Sequence, residues 1–177
     1  HLCHEGVQVP TLKARPSSSL DGFVPCTLHF RGYSLIVIIF YGICSIGLTG
    51  PNLVRFRRLG SLLRALQLPW VVLGDWNISP QALQASGFLK EVGGQIRCAD
   101  VEYTCDPGGG KQASHLDYLV HSYAAQPYIR RVEPLHDVPW KPHIALLTHL
   151  VSSGEQLLTR IMELPRRLPS VARPAKA

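Results

Sequence analysis

The sequence predicts a single α/β domain in which buried strands pack against helices. Ser34 to Tyr41 is rich in Ile and Val, which is typical of a strand covered on both faces. Leu53 to Leu66 carries Leu and Phe at three- and four-residue steps, a pattern that predicts an amphipathic helix. Trp70 to Val72 is a second apolar run, and a helix start at Ser79-Pro80 follows it. With 177 residues, 46% of them hydrophobic, the chain can bury one ordinary core.

The longest apolar stretch, Leu35 to Leu48, contains the first of these strands. Polar and small residues interrupt it at Tyr41, Gly42, Ser45 and Gly47. It is shorter than the roughly 20 residues that a membrane-spanning helix needs, so we expect a buried strand and no membrane partner. Tyr41 closes this strand.

The predicted helix that follows carries four arginines outside its apolar stripe: Arg55, Arg57, Arg58 and Arg64. They could form a nucleic-acid patch or the solvated face of an amphipathic helix. The solvated face is favoured because no aromatic residue is interleaved with the charges.

An acid and an amide, Asp75 and Asn77, stand where the second strand should end. In an extended chain, side chains two residues apart point to the same side, so both groups would face one site. A carboxylate there can hold a metal ion or a water molecule. A short helix should follow from Pro80 through Ala85 and end at Gly87.

The middle of the chain predicts a loop and then a strand. Asp106 to Gly110 is a turn-forming stretch, and it lacks the phosphate-binding Walker pattern because Lys111 is followed by Gln112, so a hairpin loop is the favoured interpretation. Ser114 to Ser122 predicts a strand with Asp117 on the opposite face from its Leu and Tyr neighbours. If the strands are adjacent, this carboxylate points toward Asp75 and Asn77.

The cysteines form neither a zinc motif nor a disulfide framework. There are five, with no C-x-x-C pair, which indicates a reducing, intracellular setting and no disulfide partner. Cys44 lies in an apolar run and is expected to be a small buried residue. Cys98 and Cys105 could meet across a hairpin, although this pairing is disfavoured.

Three segments carry motif-like residues in order. Gly74 to Asn77 is Gly-Asp-Trp-Asn, Ser114 to Tyr118 is Ser-His-Leu-Asp-Tyr, and Pro142-His143 precedes the apolar segment Ile144 to Leu150. They resemble the Gly-Asp-Phe-Asn motif, the Ser-x-x-Asp-Tyr motif and the terminal Asp-His of the endonuclease/exonuclease/phosphatase superfamily of metal-dependent phosphodiesterases. Three such motifs at domain-scale spacing, over Phe23 to Leu150, are more specific than one.

The resemblance implies an α/β (α+β) fold, a two-layered β-sandwich flanked by helices. Trp76 in place of Phe and the Pro-His ending resemble divergent, retroelement-type members. Complete members are longer, and this chain begins at His1 with no signal peptide. We therefore expect a truncated chain whose sandwich is incomplete at the N-terminus.

The resemblance also implies roles for five residues. Asp75 and Asn77 would position the water and the phosphate, and Tyr41 would contact the substrate phosphate. The alternative that Tyr41 is a core or interface residue stays open. Asp117 would orient His143, which would stabilise the transition-state charge. The implied cofactor is Mg²⁺ (or Mn²⁺), and the implied partner is nucleic acid.

The chain departs from the family in its metal ligands. The family's metal-binding Glu has no match, since Glu5 follows no strand and is expected to be solvated, so the ligand set is unknown with Asp75 as the nearest candidate. Pro142 stands where the family usually has Asp, and Asp137 is a disfavoured substitute. Two further histidines are expected on the surface or at strand ends: His136 and His149.

Three functions stay open. The first is hydrolysis of nucleic-acid phosphodiester bonds by a metal-dependent nuclease. The second is a catalytically inactive remnant or binding module of the same fold, suggested by the missing Glu and by Pro142. The third is an inositol-phosphate-type phosphatase, although no dedicated basic pocket motif supports it.

The composition changes near residue 150. We expect a partial catalytic-type domain over residues 1–150 and, over residues 151–177, a helix from Glu155 to Leu164 plus a basic, Pro-rich tail. This tail contains five basic residues and two acidic residues. Contact with a polyanion and a linker to a further region are both compatible with that composition.

Overall fold

The computed structural model describes residues 22–139 and 141–151, and it confirms the predicted α/β class. The elements in chain order are β1 (Phe23–Phe30), β2 (Tyr33–Tyr41), α1 (Gly50–Ala65), β3 (Trp70–Asp75), α2 (Pro80–Ala85), α3 (Phe88–Val92), β4 (Gly94–Arg97), β5 (Asp117–Ser122), a 3-10 helix (Tyr123–Tyr128), β6 (Ile129–Leu135) and β7 (Ala145–Leu150).

The strands form two sheets. The larger sheet has the order β1-β2-β3-β5-β4, in which β2 and β3 are parallel and the other neighbours are antiparallel. The smaller sheet is the antiparallel pair β6-β7. The predicted two-layered arrangement with flanking helices is therefore confirmed.

Alternation along the central strands explains why both faces of the large sheet are apolar. Ile36 and Ile38 of β2 pack into the core that includes Phe56, Leu59 and other residues of the three helices. Leu35, of the same strand, packs into a second core that includes Ile129 of β6. Side chains of period two thus face helices on one side and the small sheet on the other, as expected for a strand buried on both faces.

Trp76, immediately after β3, fills the helix-side core. It is fully buried, and its indole Nε1–H donates to the carbonyl of Tyr118 at 2.9 Å. Its ring stacks on that of Tyr118 with centroids 5.3 Å apart and contacts Phe40 at 4.7 Å. The indole of Trp76 therefore packs against the ends of β2 and β5 where β3 ends, next to Asp75.

A glycine allows the backbones of β2 and β3 to approach closely at this edge. Gly74 has φ +153°, and a Cβ built on it would lie 1.8 Å from the carbonyl oxygen of Phe40. No other residue fits this position without separating the strands. The residue before Asp75 is thereby restricted to Gly.

Several predicted details are corrected by the structure. The strand predicted from Ser114 begins at Asp117, because residues before it are held by hydrogen bonds to the segment around Thr104. Leu53, placed in the apolar stripe of α1, is 37% exposed, and Leu66 at the C-cap is only partly buried, while the stripe residues between them are buried. Cys44 is exposed rather than buried, since the chain leaves the sheet at Tyr41.

Other expectations have mixed outcomes. Helix α2 begins and ends where predicted, and the Ser79 side chain accepts a hydrogen bond from the Ala82 N–H. Residues 106–113 form the predicted hairpin loop, closed by the Cys105–Ser114 bridge. Cys98 and Cys105 are free thiols. Glu5 and the predicted helix from 155 to 164 lie outside the described residues. Among the described helices, none is both long and apolar enough to cross a membrane.

Candidate active site

Three sequence-predicted residues form a row across the edge of the large sheet. Tyr41 of β2 is the register partner of Asp75 of β3, and Asp75 is in turn the partner of Asp117 of β5. Because side chains alternate along a strand, all three lie on the same face of the sheet as the residues that form the core between the two sheets. The prediction that the carboxylate of Asp117 points toward that of Asp75 is confirmed by this geometry.

Asp75 is held by the turn that follows it. One of its carboxylate oxygens accepts from the backbone N–H of Asn77 at 3.1 Å, and the other accepts from the Asn77 amide Nδ2 at 2.7 Å. The same Nδ2 donates to the carbonyl of Gly42 at 2.8 Å. Both carboxylate oxygens are therefore fixed before any ligand arrives.

The predicted extended backbone at Asn77 is wrong. Asn77 has φ +52°, a left-handed conformation that Asn adopts more readily than most residues, so the chain turns here. Its side chain folds back on Asp75 instead of standing beside it. Asn77 reaches the site through Asp75, whose orientation it fixes.

His143 is brought to the acids by the segment that precedes β7. A β-bridge joins His143 to Cys105, and its ring Nδ1 lies 2.8 Å from Oδ2 of Asp117. The other nitrogen, Nε2, lies 4.0 Å from Oδ2 of Asp75. A carboxylate on Nδ1 fixes the imidazole tautomer and leaves Nε2 directed at the space between the two acids.

The electrostatics of the site favour a positive charge between the acids. Burial raises the pKa of the Asp75 carboxyl, and the neighbouring Asp117 raises it further, while hydrogen bonds from Asn77 and the nearby His143 act in the opposite direction. The net pKa of Asp75 is above its ordinary value. A bound cation would relieve the repulsion between the two carboxylates.

The side chains present fit a divalent cation. Asp75, Asp117 and His143 each offer one ligand atom, and these atoms lie within 4.8 Å of one another. Two carboxylates with an imidazole suit Mn²⁺, and one or two carboxylates with water molecules suit Mg²⁺. These are the residues that could hold a metal in the described part of the chain.

A cavity of about 320 Å³ opens beside these groups, between the two sheets. Asp75, Asp117 and His143 form its polar end. The remaining wall is mostly aliphatic and includes Ile39, Leu73, Val132, Ile144 and Leu146. The acids are thus accessible from the space between the sheets.

Tyr41 stands at the rim of the site. Its side chain is 54% exposed, and it is not part of the cavity wall. Its backbone carbonyl accepts from Nη1 of Arg55 at 2.9 Å. The alternative that Tyr41 is a core residue is wrong, and its hydroxyl is accessible to a substrate.

The remaining polar candidates lie outside the acid group. Asp137 and His136 are exposed and follow the end of β6. His149 lies within β7, where Nε2 contacts Glu133 Oε1 at 2.7 Å. The nearby acids and histidines therefore add no ligand to Asp75, Asp117 and His143 among the described residues.

Sequence reasoning missed Thr104. This residue is fully buried, and its hydroxyl accepts hydrogen bonds from the backbone N–H groups of Leu116 and Asp117. It lies in an irregular segment without periodicity, next to Cys105, so no sequence pattern marked it. Its importance follows from contacts between segments that are distant along the chain.

Comparison with known proteins gives structural matches alone. No protein-family model and no curated protein matches the sequence. The endonuclease domain of TRAS1, a telomere-specific non-LTR retrotransposon, superposes with a TM-score of 0.57 at 17% identity, covering 73% of this chain and 63% of that domain. The 3'-5' exonuclease NExo from Neisseria meningitidis gives 0.56 at 19% identity, covering 82% and 70%. The AP endonuclease LMAP from Leishmania major gives 0.55 at 13% identity, covering 70% and 53%.

This chain has the endonuclease/exonuclease/phosphatase fold. The fold that the three motifs implied is thereby confirmed. The chain spans less than two thirds of the TRAS1 domain. Within the superfamily fold, the Asp75, Asp117 and His143 side chains lie where the two sheets of the sandwich meet.

Proposed function

We propose that this domain binds a divalent cation and hydrolyses phosphodiester bonds of nucleic acid. The observation that carries the proposal is the convergence of Asp75, Asp117 and His143, from three segments, on one space. Structural neighbours support it. TRAS1 carries an endonuclease domain, a variant of Neisseria NExo was solved with a product DNA hairpin, and a variant of the Staphylococcus aureus beta toxin holds magnesium ions at 15% identity.

Each side chain has a distinct task. Asp75, fixed by Asn77, accepts a proton from the attacking water as its oxygen bonds to phosphorus, and its raised pKa suits that task. Asp117 holds Nδ1 of His143, so that the protonated ring donates from Nε2 to a phosphate oxygen as negative charge develops there. The P–O bond to the leaving oxygen then breaks, and that oxygen takes a proton from solvent.

Asp75 and Asp117, with His143 beside them, would hold the cation. When bound, a Mg²⁺ or Mn²⁺ ion supplies charge neutralisation at the phosphate oxygens. Two carboxylates leave coordination positions for water molecules and substrate oxygens, while Nε2 of His143 stays free to donate to the phosphate. Tyr41, exposed at the rim, supplies a hydroxyl that can hydrogen-bond the substrate phosphate.

The test is cleavage of supercoiled plasmid and of an abasic oligonucleotide by the purified 177-residue chain in Mg²⁺ and in EDTA. We expect metal-dependent cleavage that Asp75→Ala and His143→Ala abolish and that Asp137→Ala retains, because Asp137 is exposed and outside the acid group. Cleavage that persists in Asp75→Ala protein would overturn the proposal.

Two other outcomes would replace it. Folded protein that binds DNA without cleaving it would show a noncatalytic binding module. Phosphate release from inositol phosphates, with no cleavage of nucleic acid, would show a phosphatase.

A further inference from the structure

We infer that Thr104 is the positioning residue that sets Asp117 and His143 against each other, an inference that rests on the proposed function. Thr104 does not line the cavity and offers no ligand atom to the acid group. It acts through both polar groups of its backbone and through its side-chain hydroxyl.

The hydroxyl controls where β5 begins. Oγ1 of Thr104 accepts from the N–H of Leu116 at 2.9 Å and from the N–H of Asp117 at 2.8 Å. The backbone N–H of Thr104 also donates to the carbonyl of Ser114 at 3.0 Å. The backbone that carries the Asp117 carboxylate is therefore tied to one oxygen atom.

The carbonyl of Thr104 controls the other partner. It accepts from the N–H of Ile144 at 2.7 Å, directly after His143. The next residue, Cys105, forms the bridge to His143, and Asp106 N–H donates to the carbonyl of Pro142 at 3.1 Å. The segment from Thr104 to Asp106 thus carries the His143 segment alongside it.

Together these contacts hold two segments that are far apart in sequence in fixed positions relative to Thr104. Asp117 and His143 are 26 positions apart, yet Nδ1 and Oδ2 must stay at 2.8 Å to fix the tautomer. The Thr104 side chain is completely buried, so water does not replace its hydroxyl when it is removed. Loss of the hydroxyl leaves two N–H groups at the start of β5 without their acceptor.

The decisive variant is Thr104→Val, which keeps the shape of the side chain and removes the acceptor. We expect kcat of the Mg²⁺-dependent cleavage to fall by about 10-fold to 100-fold with little change in KM, since supporting partners of site residues have effects of that size. Thr104→Ser keeps the hydroxyl and should restore kcat to within a few-fold. Thr27→Val, in edge strand β1, is the matched control and should behave as wild type.

A second measurement keeps the inference separate from the proposed function. Nitrogen-15 NMR of the imidazole reports which ring nitrogen of His143 carries the proton, whether or not the protein cleaves DNA. In the neutral form of the ring, we expect Nδ1 to carry the single proton in wild type and in Thr104→Ser, and the two tautomers to mix in Thr104→Val. If Thr104→Val does not fold, Thr104→Cys, whose thiol is a weak acceptor, is measured in its place with the same expectation.

The inference is overturned if folded Thr104→Val keeps the wild-type His143 tautomer and kcat and loses thermal stability alone. That result would assign Thr104 a structural role. If wild type does not cleave nucleic acid while the tautomer still depends on the Thr104 hydroxyl, the proposed function fails and the positioning role stands.

Discussion

His143 Nδ1 and Asp117 Oδ2 lie 2.8 Å apart at the junction of the two sheets, and Nε2 of the same ring lies 4.0 Å from Asp75 Oδ2. The imidazole therefore stands between two carboxylates that are register partners on adjacent strands. The two acids therefore have different relations to the ring. Asp117 orients the imidazole, and Asp75 lies beside the open space into which Nε2 points.

Asp117→Asn should remove that orientation and preserve the size of the side chain. An amide can present its NH₂ group to Nδ1 and so favour the opposite tautomer, in which the single ring proton lies on Nε2. It also removes the negative charge that stabilises the doubly protonated ring. We expect kcat of metal-dependent cleavage to fall on the order of 100-fold or more. Single-turnover kinetics measure this loss, with Asp137→Asn as the exposed control. Equal rates in the two variants would contradict the orienting role.

Metal binding should depend on pH through Asp75. Because burial and Asp117 raise the pKa of Asp75, the folded chain holds this proton more tightly than the unfolded chain. The associated stability is present at low pH and is lost as the pH rises through the folded pKa. A cation competes with the proton, so its stabilising effect should be larger at pH 7 than at pH 4.

The measurement is the melting temperature in Mg²⁺ or Mn²⁺ against EDTA across that pH range. At a metal concentration 100 times Kd, the stabilisation at neutral pH should be about 2.7 kcal/mol. Asp75→Ala should remove the metal effect, and Asp106→Ala, a loop acid, should retain it. A metal effect independent of pH would argue against Asp75 as a ligand.

Asn77→Gly tests how the turn controls Asp75. Gly accepts the positive φ of this position, so the variant removes the side-chain amide without imposing backbone strain. The hydrogen bond from Nδ2 favours the charged form of Asp75, and its loss should raise the pKa of that carboxyl further. Carbon-13 NMR titration of the carboxyl measures the change. Ser45→Gly, also at positive φ but in the loop after β2, is the control. The same Asp75 pKa in the two variants would show that the Asn77 amide does not control this carboxyl.

The central strands and the acid pair could be predicted because their signals are local. The composition of Ser34 to Tyr41 predicts a strand buried on both faces, and residues 35–38 and Phe40 are buried. Ile39 and Tyr41 are more than half exposed, so the prediction fails at the end of the strand. Period two correctly places Asp117 on the face of Asp75. The helix at Pro80 was predicted from its cap, which forms as expected. In each case, a short stretch of sequence contains the physical cause of its own structure.

The errors arose where contacts between distant segments decide the structure. Cys44 follows an apolar strand, but Asn52 holds the backbone of Ile43 and Gly47 and leads the chain out of the sheet. Asn77 was assigned an extended backbone, whereas its bonds to Asp75 and Gly42 require a turn. Strand β6 and the role of Thr104 depend on partners from other parts of the chain, which periodicity does not reveal.

Trp76→Phe tests whether the larger ring supports the site edge through packing rather than chemistry. The variant loses the hydrogen bond to the Tyr118 carbonyl and part of the stack on Tyr118, and it leaves a cavity in the helix-side core. We expect a loss of about 1–3 kcal/mol in the free energy of unfolding. Metal affinity should change little, because the backbone N–H of Trp76 still donates to the carbonyl of Leu116 and keeps β3 against the start of β5.

Denaturant unfolding and metal titration of the same samples separate the two effects. Trp70→Phe, at the opposite end of β3, removes the same volume from the same core and serves as the matched control. The larger loss should occur in Trp76→Phe, since that variant also leaves the buried Tyr118 carbonyl without its indole donor. A large fall in metal affinity at unchanged stability would instead show that the indole acts on Asp75 itself.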